Sequence, residues 1–285
     1  MTDQMFDGEG RAAFARFYPE TAGPVTHRLA GHPLFELDAL VRLAGRLPGA
    51  SVERNLGDLP IGVDPDAVRA NGLSVADTIR SIEDNGSWMV LKSVEQDPDY
   101  RALLDAVLDE IEPLVVPRTG AMLKREGFIF VSSPDAVTPF HFDPEHNILL
   151  QMRGTKTMTV FPAGDEELAG LERHERFHMG GHRNLPYSDG FADRGVAHRL
   201  TPGRAIHVPV KAPHWVRNGP EPSVSFSVTW RSEWSFREAY AHGFNHLTRR
   251  VGITPKAPGR FPRQNHAKSL AYRAISRAKR ALDPT

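Results

Sequence analysis

The sequence predicts a mainly β protein with helices before and after its strands, and two observations carry this prediction. From Gly127 onward, short apolar runs alternate with turns rich in glycine and proline, as in antiparallel sheets. Residues 223–230 alternate strictly, with valine or aromatic side chains at even positions and serine or threonine at odd positions. This period of two predicts a half-buried strand. Its hydroxyl face points either into a polar interior or into solvent, and the pattern does not choose between them.

The first 120 residues combine helices with a strand. Apolar spacing and end signals predict a helix at 34–47 that ends at Pro48-Gly49, and a helix at 75–85 with Ser74 as N-cap and Gly86 as stop. A strand is predicted at 88–94. Asp97-Pro98 then opens a long helix that runs from Asp99 to about Glu112. The chain contains no internal repeat and no low-complexity segment. We therefore expect helical additions to one β-rich domain.

Composition excludes several classes of protein. The chain has 285 residues, enough to bury a substantial core, and its 35 basic and 35 acidic side chains cancel. No global charge therefore indicates a nucleic-acid or membrane partner. The absence of cysteine excludes a disulfide scaffold and thiolate metal sites. The first residues do not resemble a secretory signal, and no apolar run is long enough to span a bilayer, so we expect a soluble cytoplasmic protein.

Two histidines and an aspartate carry the chemistry that the sequence predicts. His141 and Asp143 are two residues apart, so in a strand both side chains leave the same face. His214 follows on a distant strand, and His207 competes with it as the second histidine ligand. Two imidazoles and one carboxylate hold Fe(II) on three adjacent positions and leave the other positions open for a chelating co-substrate and O2. The three residues therefore predict a non-haem iron site.

Lys156 lies in a segment that predicts a hairpin turning near Gly154. On its strand Lys156 shares one face with Met158 and Val160, so its charge lies on a partly apolar face. A dicarboxylate that chelates iron with one end needs a fixed cation for its other carboxylate, and the compact ammonium group of lysine suits that role. The alternative is a solvated lysine on a strand, which is the commoner environment.

These residues together resemble a known family, the JmjC-type Fe(II)/2-oxoglutarate oxygenases of the cupin fold, and most closely its asparaginyl hydroxylase. The resemblance covers about residues 127–162 and 202–230. It implies a double-stranded β-helix, or jelly roll, as the core. It also implies that iron is bound by His141, Asp143 and His214. The far carboxylate of 2-oxoglutarate would be held by Thr138 and Lys156, with Asn147 as a polar neighbour of the co-substrate.

Three regions follow from the resemblance and the element pattern. Residues 1–120 are expected to form a helical and strand region that packs on the core. Residues 121–232 would form the jelly-roll core, with an insertion at 163–201. Residues 233–285 would form C-terminal helices with a basic tail.

The predicted function is a hydroxylase that uses Fe(II), 2-oxoglutarate and O2 and releases succinate and CO2. Its substrate, a protein or a small molecule, is not identified by the sequence, because site residues alone do not fix it. Two other classes remain open. One is a non-catalytic cupin-like binding or regulatory protein, and the other is a cupin metalloenzyme that does not use 2-oxoglutarate. Binding of 2-oxoglutarate separates these classes.

The insertion at 163–201 contains four histidines: His174, His178, His182 and His198. Three of them have the i, i+4 spacing that would align them on a helix for a second metal. Gly180-Gly181 interrupts that run and makes a continuous helix unfavourable. A mobile loop over the mouth of the site, which helps to select the substrate, is the favoured interpretation.

The C-terminal segment is strongly basic, with ten Lys or Arg between 249 and 285 against the single acid Asp283. Residues 267–282 predict a helix that turns its apolar side chains toward a partner, namely Leu270, Ala274, Ile275, Ala278 and Ala281. Such a basic patch could bind an acidic protein, RNA or an anionic membrane surface, of which nucleic acid is not favoured. The alternative is that the helix is simply solvated and has no partner. The resemblance makes residues 233–251 a candidate for homodimer contacts, through Phe236, Tyr240, Phe244 and Leu247.

Overall fold

Eleven strands form two facing antiparallel sheets in the described part of the chain, residues 4–63 and 69–282 of a computed structural model. The strands are β1 Gly23–Thr26, β2 Val52–Leu56, β3 Ser87–Lys92, β4 Met122–Ser132, β5 Val137–His141, β6 His146–Arg153, β7 Lys156–Val160, β8 Val196–Leu200, β9 Arg204–Val208, β10 His214–Asn218 and β11 Ser223–Ser232. The larger sheet has the order β1-β9-β6-β11-β4-β3-β2, and the smaller sheet has the order β5-β10-β7-β8. The mainly β, jelly-roll core predicted from the sequence is confirmed.

Helices precede, interrupt and follow the strands. They are α1 Gly8–Phe17, α2 Leu37–Arg46, α3 Val75–Arg80, α4 Pro98–Thr119, α5 Leu171–Phe177, α6 Glu233–Arg250 and α7 His266–Leu282, with short 3-10 turns at Pro33–Phe35, Gly49–Ser51, Val94–Gln96 and Asp189–Arg194. Among the described residues, none of these helices has both the length and the apolar character needed to cross a membrane.

Two helices end five or more residues from their predicted ends, and α2 begins at Leu37 rather than at residue 34. The side chain of Ser74 caps α3 as expected, but the helix stops at Arg80 rather than at residue 85. The Asn85 side chain bonds the Thr78 carbonyl and thereby satisfies a group that a longer helix would use. In contrast, α4 continues beyond Glu112 to Thr119 through two internal prolines. Burial of its continuing apolar face outweighs the lost backbone hydrogen bonds.

The predicted hairpin at Gly154 is wrong in one respect. The chain does turn there, with a left-handed φ of +64° at Gly154 that suits glycine. A side chain at this position would also collide with the Pro222 carbonyl. However, β6 pairs with β9 and β11 in the larger sheet, whereas β7 pairs with β8 and β10 in the smaller sheet. The turn therefore carries the chain from one sheet to the other, which encloses the space between them.

The alternating strand β11 divides the interior into two environments. Its apolar side chains, Val224, Phe226, Val228 and Trp230, join the main hydrophobic core on the side of the helices. Its small hydroxyl side chains are also buried and point the opposite way, and Ser227 and Thr229 line the cavity between the sheets. The hydroxyl face is therefore on the inside, and the alternative in which it meets solvent is wrong. A polar cavity and an apolar core lie on opposite faces of one sheet.

A candidate metal centre between the sheets

The two histidines and the aspartate predicted as metal ligands lie together at one end of the smaller sheet. His141 ends β5 and His214 begins β10, and the two residues are directly opposed in the antiparallel register. Asp143 follows two residues after His141. Its Oδ2 lies 3.8 Å from His141 Nε2 and 3.6 Å from His214 Nε2. Within the described residues this is the only group of three or more such ligands close enough to share one ion.

Hydrogen bonds orient both imidazoles with Nε2 toward the common centre. His141 Nδ1 lies 2.7 Å from the Pro139 carbonyl, and His214 Nδ1 lies 2.9 Å from the Ala212 carbonyl. A carbonyl oxygen only accepts, so Nδ1 carries the proton and Nε2 keeps its lone pair. Burial lowers the pKa of His141 to about 3 and also lowers that of His214. Both rings are therefore neutral at neutral pH, the form that binds a metal.

Asp143 is held by an arginine that sequence reasoning missed. Arg183 Nη1 lies 2.5 Å from Asp143 Oδ1, so the remaining oxygen, Oδ2, is the one that faces the two histidines. Burial alone would raise the carboxyl pKa, but the Arg183 guanidinium, through its charge and its hydrogen bond, holds the pKa of Asp143 below its usual range. The backbone of the same segment pairs with the end of β5, where Leu185 N–H donates to Phe140 O at 2.8 Å. No signal near Asp143 in the sequence predicts this contact, because Arg183 comes from the insertion.

Lys156 is buried without an anionic partner. Its side chain lines the cavity and is only 5 % exposed, and no described residue forms a hydrogen bond or ion pair with its ammonium group. Burial lowers the pKa of Lys156 from 10.5 to about 7. The solvated-lysine alternative is therefore wrong. An unpaired buried ammonium group is costly, so this site is suited to an anion that arrives from outside.

The strand register places Lys156 at the opposite end of the cavity from the histidines. In β10 and β7, His214 is opposed to Val160 and Asn218 is opposed to Lys156. Four residues separate these two rows, which is about 13 Å of strand. Thr138 lies between them, because it is opposed to Val216, and it also lines the cavity. The smaller sheet thus offers a metal end, a hydroxyl group in the middle and a cation at the far end.

The larger sheet closes the other side of a cavity of about 510 Å³. Asn147 of β6 lines it and accepts a hydrogen bond at Oδ1 from the Ser227 hydroxyl at 2.8 Å, which leaves the amide N–H groups of Asn147 as donors. Glu145 also lines the cavity. Burial and the neighbouring Asp143 carboxylate raise the pKa of Glu145 to about 7. Sequence reasoning missed Glu145, although it lies only two residues after Asp143.

Three other histidines named in the sequence analysis, His207, His174 and His178, lie outside this centre, whereas His182 lines the same cavity. His207 is buried against the Phe14 and Tyr18 rings on the outer side of the larger sheet, so it does not join His141 and Asp143. His174 lies in α5 and His178 caps its end, where both rings approach His242 of α6. The helix ends before Gly180, as predicted, so His182 is not aligned with them. The described residues give no second metal group in the insertion.

Comparison with known proteins supports the fold. No protein-family model matches the chain, and no curated protein matches its sequence. An X-ray structure of E. coli ycfD superimposes with a TM-score of 0.50 at 17 % identity, and the match covers 96 % of this chain and 68 % of that one. A structure described as Escherichia coli ribosomal oxygenase YcfD gives 0.48 at 16 % identity, covering 92 % and 65 %. This chain therefore spans about two thirds of their length. The first of these matches supports the jelly-roll fold, and it does not single out the asparaginyl hydroxylase.

Proposed function

We propose that the protein is an oxygenase that depends on Fe(II) and 2-oxoglutarate. One observation carries the proposal: a 2-His-1-carboxylate group and an unpaired buried lysine lie at opposite ends of the same cavity. The first feature suits a metal with open positions, and the second suits a carboxylate held at a distance from it. 2-Oxoglutarate combines both requirements, because its 2-oxo acid end chelates a metal and its other end is a carboxylate.

The donor atoms fit iron in three respects. The three ligand atoms lie within 4.8 Å of one another, and both imidazoles present neutral Nε2. The second oxygen of Asp143 is bonded to Arg183, which favours coordination through Oδ2 alone. Three protein ligands on one side leave positions for co-substrate and O2, as in non-haem Fe(II) oxygenases, and the site holds no thiolate that would favour zinc.

The protein's own residues would bind, orient and exclude water. Lys156 and Thr138 would hold the far carboxylate of 2-oxoglutarate, and Asn147 would donate from the opposite sheet. Bound iron would supply O2 activation, coupled to decarboxylation of 2-oxoglutarate to succinate and CO2 and to hydroxylation of an unactivated C–H bond. The buried strands around the triad would keep bulk water away. We assign the iron to His141, Asp143 and His214.

The substrate, a protein or a small molecule, would enter where the cavity is lined by Glu145 and Arg183. This part of the wall differs in origin from the co-substrate end, because Arg183 comes from the insertion. The proposal includes the cytoplasm as the location, where reduced iron is present. It also includes a homodimer through the C-terminal helix α6, where the four apolar side chains named for such contacts are half-buried: Phe236, Tyr240, Phe244 and Leu247.

Equilibrium binding tests the proposal before any substrate is known. Protein loaded with Zn²⁺, as a redox-inert substitute, is titrated with 2-oxoglutarate and with glutarate, which has both carboxylates but no 2-oxo group. We expect 2-oxoglutarate to bind more tightly than glutarate only when the metal is present. Equal binding of the two, or no binding, would favour a cupin protein that does not use 2-oxoglutarate.

Turnover provides the second part of this test. With Fe(II), O2 and 2-oxoglutarate, the wild-type protein is expected to release succinate, and Asp143→Ala is expected to release none. Succinate release by Asp143→Ala at the wild-type rate would reject the assigned metal centre. A metal-dependent 2-oxoglutarate complex without any turnover would instead support the non-catalytic alternative.

A further inference from the structure

The C-terminal helix α7 presents its apolar side to solvent. Its inward side is largely polar: Ser269 is buried, and Lys268 Nζ donates to the Asn245 side chain of α6 at 2.7 Å. Tyr272 packs over Gly243, where an added Cβ would lie 2.6 Å from the ring. These contacts fix the rotation of the helix. The apolar residues are therefore on the face that nothing in the described chain covers.

The uncovered face is broad and contiguous. Leu270 is 62 % exposed, Ile275 is 45 % exposed and Leu282 is 85 % exposed. At 100° per residue these three side chains bound an arc that the exposed alanines at 267, 274, 278 and 281 fill. A helix that buries its polar side and exposes such an arc has the pattern expected for a binding surface.

Arginines line one edge of this apolar face. Arg273, Arg277 and Arg280 recur at intervals of four and three residues, so they project along one side of the helix. None of them forms an ion pair within the described residues, and no acidic residue occurs between 249 and 282. With Ser276 and the tyrosines at 240 and 272 they line an open surface groove of about 210 Å³. Arginine and hydroxyl donors along such a groove suit a phosphate group.

We infer that α7 lies on an anionic lipid surface, with Leu270, Ile275 and Leu282 in the acyl boundary and the arginines on lipid phosphates. An apolar face flanked by basic residues is the pattern of a helix that lies in the plane of a membrane interface. Proteins bind RNA through phosphate contacts and through stacking of aromatic side chains on the bases, and leucine and isoleucine make neither contact. A second copy would bring two rows of unpaired arginines together, which electrostatic repulsion opposes. The row of arginines and the broad apolar face beside it together match an anionic lipid surface.

Vesicle binding by the full chain tests this inference. The protein is mixed with vesicles of phosphatidylcholine alone and with vesicles that contain phosphatidylglycerol, and the bound fraction is measured by sedimentation. We expect binding only to the anionic vesicles, and weaker binding at higher salt because the Debye length falls. Replacing the three arginines by glutamine should lower the partition coefficient about 100-fold, at about fivefold for each charge. Leu270→Gln with Ile275→Gln should lower it at least about tenfold.

Matched variants separate this surface from general charge and hydrophobicity. Arg80, Arg101 and Arg217 are exposed and unpaired among the described residues, and Val196 is 61 % exposed on β8. Changing these arginines or this valine to glutamine should leave vesicle binding within about twofold, since exposed substitutions rarely perturb a fold. All α7 variants should keep the wild-type affinity for 2-oxoglutarate.

Three results would overturn the inference. The first is equal binding to both kinds of vesicle, or to neither. The second is loss of binding in the control variants to the same extent as in the α7 variants. The third is tight binding of single-stranded RNA that needs the arginines but not Leu270 and Ile275, or a dimer in light scattering that those two substitutions dissociate.

Discussion

Lys156→Met is expected to stabilise the protein without ligand while it weakens binding of 2-oxoglutarate. The wild-type ammonium group is buried in the cavity wall without an anionic partner among the described residues. Burial lowers the pKa of Lys156 from 10.5 in the unfolded chain to about 7. At about 1.4 kcal/mol for each tenfold change in an equilibrium constant, this difference corresponds to about 5 kcal/mol. The buried Lys156 charge therefore lowers the free energy of unfolding of the protein without ligand.

The sign follows from the lowered pKa of Lys156. The destabilisation of the folded protein by Lys156 is complete below about pH 7, where the folded protein must bury the charged form. It decreases as the pH rises from about 7 to 10.5, where the folded protein is neutral at this position but the unfolded chain is not. Methionine has a similar shape and no charge. We expect the free energy of unfolding at pH 7 to rise by about 2 to 5 kcal/mol, the lower figure allowing for water in the cavity.

Urea denaturation of the metal-free protein measures this change. The control is Lys124→Met, because the Lys124 side chain is 58 % exposed at the mouth of the same cavity and pairs with Glu126. This control should change the free energy of unfolding by less than about 1 kcal/mol. Lys156→Met should also lower the affinity for 2-oxoglutarate about 100-fold or more, as expected for loss of a buried charge partner. A destabilised Lys156→Met protein that still binds 2-oxoglutarate would refute the reasoning.

Three further predictions concern neighbouring groups. The affinity for 2-oxoglutarate should fall about 50-fold between pH 7 and pH 9, because only the protonated Lys156 binds the carboxylate and its pKa is about 7. In the same titrations, Lys156→Met should show no such dependence on pH. Arg183→Gln should lower the rate of succinate release about 10- to 100-fold, because Asp143 loses its fixed orientation. Arg199→Gln, at an exposed arginine, should leave that rate unchanged. A wild-type rate in Arg183→Gln would contradict the assigned contact. Glu238→Ala should lower the free energy of unfolding by about 3 to 5 kcal/mol, since it leaves the buried Lys211 ammonium group, 2.7 Å from Glu238, unpaired. As a control, Asp105→Ala at the more exposed pair with Arg125 should lower it by less than about 1 kcal/mol. Equal effects of the two substitutions in urea denaturation would reject this account.

Local patterns predicted much of the site because its residues depend on strand geometry. The i, i+2 spacing of His141 and Asp143 needs only one extended segment to bring both side chains to one face. The face shared by Lys156 and Met158 follows from the same period of two. The meeting of His141 with His214 required a sheet, and there the resemblance supplied what spacing alone did not.

Features that depend on the second sheet or on the insertion were not predictable from local patterns. The hydroxyl face of β11 could be assigned to the interior only once the smaller sheet covered it. The turn at Gly154 is local, but whether it makes a hairpin or a crossing between sheets depends on the partners of each strand. Arg183 lies forty residues from Asp143, and their contact exists because the insertion pairs with the end of β5.

The most direct test of the central claim is an anaerobic titration with Fe(II) and 2-oxoglutarate, followed in the visible range. A 2-oxo acid chelated to Fe(II) gives a metal-to-ligand charge-transfer band, and this readout needs neither O2 nor the substrate. We predict a band that requires both components, keeps its position but needs far more 2-oxoglutarate in Lys156→Met, and is absent in His141→Ala. Iron that binds without producing the band would contradict the proposed function.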